Sequence, residues 1–308
     1  MIKHIGQYNL LSLLGTGGMS EVYLAQDTKT GTKVAIKILD KKLSKDPEYI
    51  KRFKREVEIS KTLSHPNIIK IISCGTDNGK YYIVYEYIEG LTLDKYIKSK
   101  MLQIDEIEDI TLKILEGLSH AHSKNIIHRD IKPSNIMISN SNVKILDFGI
   151  ARATTKSTIT KTGMFMGSPH YTSPEQIDGK KIDNRTDIYS LGIVLYEMVT
   201  GKIPFESDTP WGTIRAHLDK PVPIIIRKIP PYLEEIIYKC LAKKPKDRYW
   251  SLKEIIDRLK SNIDKKVTLI KAVPAEQNKK SKEINYDAHK GLSRFERFWT
   301  KFRCLLTV

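Results

Sequence analysis

The densest group of residues that could carry out chemistry lies between positions 126 and 151. The segments IIHRDIKPSNIMI (126–138) and VKILDFGIA (143–151) each place polar side chains between short apolar runs. Asp130, Lys132 and Asn135 fall within six residues, and Asp147 follows twelve residues later. A carboxylate can accept the proton of a hydroxyl nucleophile, Asp and Asn oxygens are ligands that Mg²⁺ prefers, and a lysine can neutralise a transferring phosphate. The four residues therefore indicate phosphoryl transfer.

A glycine-rich segment near the start of the chain indicates where phosphates would lie. In LLGTGGMSEVYLA (13–25), Gly15, Gly17 and Gly18 fall within four positions, and a run of β-favouring residues follows. A Rossmann turn leads into a helix, and a Walker loop needs G-x-x-x-x-G-K-[ST], so neither pattern fits. The segment predicts a strand–turn–strand hairpin, which is compatible with a phosphate-binding loop and also with an ordinary β-turn.

Lys37 helps to decide between these two interpretations. It ends the apolar run VAIK, where a buried lysine requires an anionic partner. The sequence predicts a helix over 47–63, with Glu56 on its apolar face and Glu58 nearly opposite. We therefore expect Glu56 to pair with Lys37. The alternative is a surface lysine and a glutamate at the edge of a helix.

The hydrophobic pattern predicts a small β-rich lobe followed by a mostly helical region. Strands are predicted at 8–14, 21–27, 32–39, 67–74 and 80–87, in addition to the helix over 47–63. Helices are predicted over about 91–99, 104–123, 184–200, 231–242 and 251–262. The apolar run 188–199 is too short to span a bilayer and predicts a buried helix.

Composition and charge bear on two further points, which are nucleic-acid binding and cellular location. The 308 residues carry a formal net charge of +16, and residues 260–308 alone hold 12 Lys/Arg against 5 Asp/Glu. A basic chain can bind nucleic acid, but no nucleic-acid module or zinc pattern is present, so we expect no nucleic-acid partner. The three cysteines are widely spaced, which favours a reducing, cytoplasmic location.

Seven segments occur in the order and spacing of a known enzyme family: GTGGMSEVYLA, VAIKIL, HRDIKPSN, DFGIARA, GSPHYTSPEQ, DNRTDIYSLGIVLYEMVTGKIPF and DRY. On these segments the chain resembles the eukaryotic-type protein kinases, and most closely the bacterial Hanks-type Ser/Thr kinases. The resemblance covers about residues 8–262. It implies an α+β, bilobal protein-kinase fold with an N-lobe at 8–86, a hinge at 86–90 and a C-lobe at 91–262. A basic linker and amphipathic tail (263–308) would follow.

The resemblance also implies a role for each motif residue. Asp130 would be the catalytic base, Lys132 would contact the γ-phosphate of ATP, and Asn135 and Asp147 would bind Mg²⁺. Lys37 would hold the α- and β-phosphates and pair with Glu56. The other implied ATP-binding residues are those of the glycine loop and the adenine pocket: Leu14, Gly15, Thr16, Gly17, Gly18, Met19, Ser20, Val22, Ala35 and Met137, with the hinge backbone from Glu86 to Ile88.

The sequence departs mildly from the common family pattern. Ser20 replaces the third glycine of the loop, and we expect activity to survive because that glycine approaches phosphate least closely. Tyr85 at the gatekeeper position is bulky, so the pocket behind adenine should be closed. Ser173 replaces the alanine of APE. Ser168 replaces the usual threonine and keeps its hydroxyl.

The most direct interpretation is a kinase that transfers the γ-phosphate of ATP to Ser/Thr hydroxyls of protein substrates. Lys132 favours Ser/Thr over Tyr specificity. A pseudokinase scaffold would usually lack Lys37, Asp130 or Asp147. A small-molecule phosphotransferase would lack the SPE segment at 167–175, which is present.

Three further expectations concern regulation and support of the site. Arg129 is a cation beside the base and predicts an anion partner, which the resemblance places at phosphorylated Thr160 and Thr162, although a merely polar loop is the alternative. The resemblance implies a buried pair between Glu175 and Arg248. It also implies that Asp187 bonds the backbone of the HRD turn.

The segment LSRFERFWTKFRCLL (292–306) is amphipathic. Its aromatic and aliphatic residues fall on one side of a helical wheel, with Arg294, Arg297 and Lys301 along one edge. This is the composition of an interfacial helix, so we expect contact with an anionic membrane surface, on the inner face of the membrane. The alternatives are docking on the C-lobe or on a partner protein, or a fragment cut before a true span.

Overall fold

The computed structural model describes residues 4–17, 20–39, 47–139, 142–148 and 169–272. The chain divides into two compact units, the first ending at Asp257 and the second beginning at Arg258. The catalytic motifs all lie in the first unit.

The N-terminal part of the first unit is an antiparallel sheet with one helix. The strand order is β1-β2-β3-β4-β6-β5, and every pairing is antiparallel. Its elements are β1 (His4–Ile5), β2 (Tyr8–Thr16), β3 (Ser20–Asp27), β4 (Lys33–Leu39), α1 (Pro47–Lys61), β5 (Ile71–Asp77) and β6 (Lys80–Glu86). Short turns join β1 to β4 in a meander and join β5 to β6 in a hairpin, whereas the connection from β4 to β5 runs through α1.

This sheet carries a buried apolar cluster on each of its faces. On one face, Ile36 and Ile38 of β4 pack with Val84 of β6. On the other face, Phe53 and Val57 of α1 pack against a cluster that includes Ile83 and Tyr85. Because side chains alternate along a strand, Lys37 and Ala35 belong to the face that α1 covers.

The following region is mostly helical, as predicted, and the fold class is α+β. A small sheet of order β7-β8-β9 lies at its start. The elements are β7 (Leu91–Thr92), α2 (Leu93–Ser99), α3 (Ile104–Ser123), β8 (Ile136–Ser139), β9 (Asn142–Ile145), α4 (Pro174–Ile177), α5 (Arg185–Thr200), α6 (Pro210–Asp219), α7 (Pro231–Cys240) and α8 (Leu252–Ala272).

Helix α5 is the core of this helical region. Every residue from Thr186 to Val199 is buried, which confirms the predicted buried helix. Within the described ranges, every helix is either too short or too polar to cross a membrane.

Some boundaries differ from the predictions. The sequence predicts a strand over 67–74, whereas β5 begins at Ile71, because the backbone of residues 67–69 bonds to β9 instead. Helix α8 runs ten residues past its predicted end, since lysine-rich sequence is polar but has good helix propensity. Helix α6 was not predicted, although Thr209 followed by Pro210 is a helix-start signal, and the Thr209 hydroxyl accepts a hydrogen bond from Gly212 N at 3.0 Å.

Candidate active site

In the catalytic loop, two side chains contact the carboxylate of Asp130. Lys132 Nζ lies 2.8 Å from Asp130 Oδ2. Asn135 donates through Nδ2 to the same oxygen at 3.2 Å and to the Asp130 carbonyl at 2.9 Å. The bonds from Lys132 and Asn135 hold the Asp130 carboxylate in one orientation. The carboxylate is 18% exposed, so it still faces solvent. The Asn135 amide nitrogen is committed to Asp130, which leaves its amide oxygen as the atom suited to a cation.

The backbone is strained at one residue of this loop and at one residue just after β9. Arg129 has a φ of 66°, and Asp147 has a φ of 33°. Such conformations cost a residue with a Cβ roughly 1–3 kcal/mol and persist only where surrounding groups enforce them. The enforcing groups are therefore part of the site.

Asp187 of α5 is the main enforcing group at Arg129. Its carboxylate is fully buried. Asp187 Oδ1 accepts from Arg129 N at 2.8 Å, and Oδ2 accepts from His128 N at 2.8 Å. His122 Nε2 lies 2.7 Å from Oδ2. Burial alone would raise the pKa of Asp187, but these bonds and the nearby imidazoles hold it below its ordinary value.

His128 ties the catalytic loop to the segment that carries Asp147. Its Nδ1 accepts from Asp130 N at 3.2 Å, so Nε2 carries the proton and donates to the Leu146 carbonyl at 2.9 Å. The ring also packs against Phe148 at 4.7 Å between centroids. Burial lowers the pKa of His128. The imidazole is therefore a neutral structural link with both nitrogens in use.

Lys37 and Asp147 come together across 110 positions of sequence. Lys37 Nζ lies 3.1 Å from Asp147 Oδ1, with the lysine mostly buried and the aspartate 44% exposed. The lysine thus reaches the catalytic segment. Its predicted pairing with Glu56 lies outside what the structure describes, because the side chain of Glu56 is not among the described ones.

The glycine-rich segment is the predicted hairpin. Gly15 pairs with Val22 across β2 and β3, and Gly17 N donates to Ser20 O at 2.8 Å. A Cβ at Gly15 would meet no atom of the described residues within 4 Å, so none of them requires glycine there. A ligand approaching the backbone is a physical reason for glycine at such a position. Gly18 and Met19 lie outside the described residues.

The profile of the protein kinase domain family matches residues 8–259. This chain belongs to that family.

The relatives are serine/threonine kinases of bacteria. The chain is 42% identical over 264 residues to serine/threonine-protein kinase PrkC of Bacillus subtilis, covering 84% of this chain and 41% of PrkC. It is 41% identical over 260 residues to serine/threonine-protein kinase PknB of Mycolicibacterium smegmatis, covering 81% and 42%. The chain spans about two fifths of the length of these curated relatives.

A solved structure agrees with the fold. The M. tuberculosis PknI kinase domain superposes with a TM-score of 0.67 at 25% identity, covering 86% of this chain and 99% of that one. The chain therefore carries a protein kinase domain of the serine/threonine class, and such a domain uses ATP. The predicted family, fold class and enzyme class are confirmed.

The predicted nucleotide-binding residues of this kinase domain lie on neighbouring strands. Val22 is paired with Lys37, and Ala35 with Tyr85, so these side chains share one face of the sheet. Leu14 lies on β2 and is exposed, whereas Met137 lies on β8 of the following region. Tyr85 is buried, as expected of a residue that closes the space behind it.

The hinge is anchored by Glu86. Its Oε1 accepts from Lys70 N at 2.8 Å and from Lys144 Nζ at 2.7 Å. Two donors thus hold Glu86 Oε1, and the resemblance implies that this segment contacts adenine through its backbone. Lys144 lies on β9, so this bond links the N-terminal sheet to the helical region.

The buried pair between Glu175 and Arg248 is confirmed. Arg248 donates from NH1 and NH2 to the two carboxylate oxygens at 2.8 and 2.9 Å. Burial would raise the pKa of Glu175, but the bonds from Arg248 hold it below its ordinary value.

Ser173, which replaces the family alanine, caps α4 by accepting from Gln176 N at 3.4 Å.

Sequence reasoning missed two supporting residues. Asn67 is buried and donates to Val143 O at 2.9 Å, while its carbonyl accepts from Ile145 N at 2.8 Å, which fixes β9 just before Asp147. Gln176 Nε2 donates to Arg129 O at 2.9 Å. The local sequence around these two residues carries no signal for their roles, because the partner of each is distant in the chain. Ser168, Thr160, Thr162 and the tail 292–306 lie outside the described residues.

Proposed function

We propose that this chain is an active, Mg²⁺-dependent serine/threonine protein kinase in which Asp130 accepts the proton of the substrate hydroxyl. The observation that carries the proposal is the convergence on one site of Asp130, fixed by Lys132 and Asn135, and of Asp147, paired with Lys37. A pseudokinase scaffold has no need of this arrangement.

The residues present fit a magnesium ion bound together with ATP. Asp147 and Asn135 offer oxygen ligands, and Mg²⁺ characteristically takes one or two protein ligands plus phosphate oxygens and water. No cluster of three or more His, Cys, Asp or Glu side chains in the described part of the chain is built to hold a metal by itself. When bound, the ion would neutralise charge on the phosphates.

In the proposed mechanism the side chains mainly orient the substrate and neutralise charge, and none of them forms a covalent bond with it. Asp130 orients the hydroxyl and receives its proton, and Lys132 neutralises charge on the transferred phosphoryl group. Lys37 would move from Asp147 towards the α- and β-phosphates when nucleotide enters, since each phosphate competes with the carboxylate for the ammonium. The glycine hairpin (Leu14–Ser20) would cover the phosphates, and Val22, Ala35, Met137 and the backbone of Glu86–Ile88 would surround the adenine.

The test is transfer of labelled γ-phosphate by the purified chain. Asp130→Asn and Lys37→Met should each abolish incorporation, and Asp147→Asn should do the same. Lys33→Met is the matched control, because Lys33 is exposed on the same strand as Lys37. Full activity of Asp130→Asn would defeat the assignment of the base. Transfer only to a small molecule would favour the small-molecule phosphotransferase alternative.

Regulation by phosphorylation of Thr160 and Thr162 is the second part of the proposal. Burial lowers the pKa of Arg129, the charge of Asp187 partly opposes this, and the charge of Arg55 on α1 lowers the pKa further. Two guanidinium groups on different elements repel one another, and a phosphate between them would remove the repulsion. Phosphorylation would therefore draw α1 and the catalytic loop together.

We expect the double variant Thr160→Ala, Thr162→Ala to lose about tenfold in activity. The variant Thr154→Ala, Thr155→Ala in the same segment should keep its activity. Mass spectrometry of active wild-type chain should find phosphate on at least one of Thr160 and Thr162. Its absence from both would contradict the proposal.

A third part concerns location. The basic, amphipathic segment 292–306 supports a cytoplasmic domain that contacts the inner face of the membrane. The full chain should sediment with anionic but not neutral vesicles. Reversal of Arg294, Arg297 and Lys301 to Glu should abolish sedimentation, and equal behaviour of both proteins would contradict membrane contact.

A further inference from the structure

A tight turn between α1 and β5 is held by a histidine. The His65 carbonyl accepts from Ile68 N at 3.1 Å, and His65 Nδ1 accepts from Asn67 N at 3.1 Å. The backbone and the imidazole of the same residue therefore both fix the conformation of the turn.

Asn67 connects this turn to β9. Its Nδ2 donates to Val143 O at 2.9 Å, and its carbonyl accepts from Ile145 N at 2.8 Å. Ile69 N donates to Ile145 O at 3.0 Å, so the two segments bond in both directions. Only one residue separates Ile145 from Asp147, and the backbone at Asp147 therefore depends on the turn.

Helix α3 packs against the same turn. A Cβ on Gly117 would meet Asn67 O at 3.0 Å, so the backbone of α3 approaches Asn67 directly. His120 lies three residues further along α3 and on the same side, and its ring stacks on that of His65 with centroids 5.2 Å apart and an interplanar angle of 31°. His120 Nε2 is buried and has no hydrogen-bond partner among the described residues. Two imidazoles from distant segments thus share one poorly solvated contact.

The surroundings of His65 favour its neutral form. Burial lowers the pKa of His65, and the charges of His120 and of Lys144 on β9 lower it further, whereas Glu116 of α3 raises it. Because Nδ1 accepts from Asn67 N, the neutral ring carries its proton on Nε2. A second proton can enter only at Nδ1, where it takes the place of the bond from Asn67 N.

We propose that His65 is a positioning residue for Asp147, and that it holds β9 in place only while its imidazole is neutral. In acid the new N–H of the ring faces the N–H of Asn67, so the two donors repel one another and the turn opens. Strand β9 then loses the partner that fixes it, and the carboxylate of Asp147 loses its place beside Lys37. The effect on phosphoryl transfer rests on the proposed kinase activity, whereas the effect on β9 is measured without it.

The experiment follows two quantities in the full chain at several pH values. The first is hydrogen exchange at the amides of Ile145 and of Leu146, which donates to Asn135 O at 2.8 Å, expressed as protection factors so that the intrinsic effect of pH is removed. The second is transfer of labelled γ-phosphate. Between about pH 7 and about pH 5.5, both quantities should fall by about threefold or more in the wild type.

Two variants should shift this response in opposite directions. His65→Asn keeps an acceptor oxygen near the place of Nδ1 but has no group that protonates there, so protection and activity should change little over the same pH range. His120→Asn removes a ring that buries His65 and a charge that opposes its protonation, so the fall should occur at higher pH than in the wild type.

His4→Asn is the matched control, because His4 is an exposed histidine on β1. It should behave as the wild type in both measurements. Unchanged acid sensitivity in His65→Asn, or an equal loss of sensitivity in His4→Asn, would overturn the proposal. It would also be overturned if exchange responds as expected but activity falls equally in His65→Asn and the wild type, because His65 would then hold β9 without positioning Asp147. Absence of phosphate transfer at every pH would refute the proposed function, whereas exchange at Ile145 and Leu146 would decide this inference by itself.

Discussion

Asp187→Asn tests whether one buried carboxylate holds the catalytic loop in its strained conformation. The change keeps the size of the side chain but replaces one acceptor oxygen by an NH₂ group. In the wild type the carboxylate accepts from His128 N and Arg129 N through different oxygens, both at 2.8 Å. The amide can accept from one of these donors at most, so the other backbone N–H loses its acceptor.

The magnitude follows from these contacts. A buried donor without its acceptor costs about 1–3 kcal/mol. A loss of about 2 kcal/mol in a domain of this size corresponds to a fall in Tm of about 4–8 °C. Because Arg129 is also strained, the loop would relax once one bond is lost, and Asp130 would move with it. A displacement on the order of 1 Å at a catalytic group costs about 100-fold in kcat. The KM for ATP should change little, because the glycine hairpin and Lys37 lie on the N-terminal sheet.

The assay combines steady-state kinetics with a thermal melt on the same preparation. Asp178→Asn is the control, since Asp178 is a carboxylate at the end of α4 that pairs with the exposed Lys180. It should match the wild type in both measurements. If folded Asp187→Asn keeps kcat within about threefold of the wild type, the bonds to the loop do not position the base and the reasoning is wrong.

Three other perturbations test the supporting structure. Arg248→Ala leaves the buried Glu175 carboxylate without its guanidinium and should cost about 3–5 kcal/mol in urea unfolding, and a loss below about 1 kcal/mol would mean that the pair is not needed. Burial lowers the pKa of His217 to about 3, against about 6.5 in the unfolded chain. As the pH falls, the unfolded chain is therefore protonated at this histidine before the folded chain is. Stability should therefore fall as pH drops from about 6.5 towards 4, by up to about 1.4 kcal/mol per unit from this group. His217→Gln should flatten that slope, and an unchanged slope would exclude His217 as its source. Asn67→Ala removes the donor to Val143 O, and hydrogen exchange at the Ile145 amide should accelerate if this bond fixes β9 as argued.

The local sequence determined the features that depend on only a few neighbouring residues. Asp130, Lys132 and Asn135 lie within six positions, so their spacing alone brings them onto one loop. The alternation of apolar residues predicted β3, β4 and β6, and the helix-period pattern predicted α3 and α5. These predictions succeed because strand and helix periods are properties of the local backbone.

Other element boundaries depend on hydrogen bonds to distant segments, which the local sequence does not reveal. Residues 67–70 have the composition of a strand, but the backbone of Asn67 and Ile69 is taken by β9, which is 75 or more positions away in the chain. The predicted end of helix α8 was wrong, because a polar composition is typical of a linker, whereas Lys and Leu both favour helix.

Only the tertiary structure decided how the site is held together. The pairing of Lys37 with Asp147, the reach of Asp187 to Arg129 and the link from His128 to Leu146 join separate elements of the chain. The sequence predicted only that a buried Lys37 needs an anionic partner, because a buried charge is costly alone. Which partner it finds depends on how α5 and the two sheets pack, and packing is determined by the whole core.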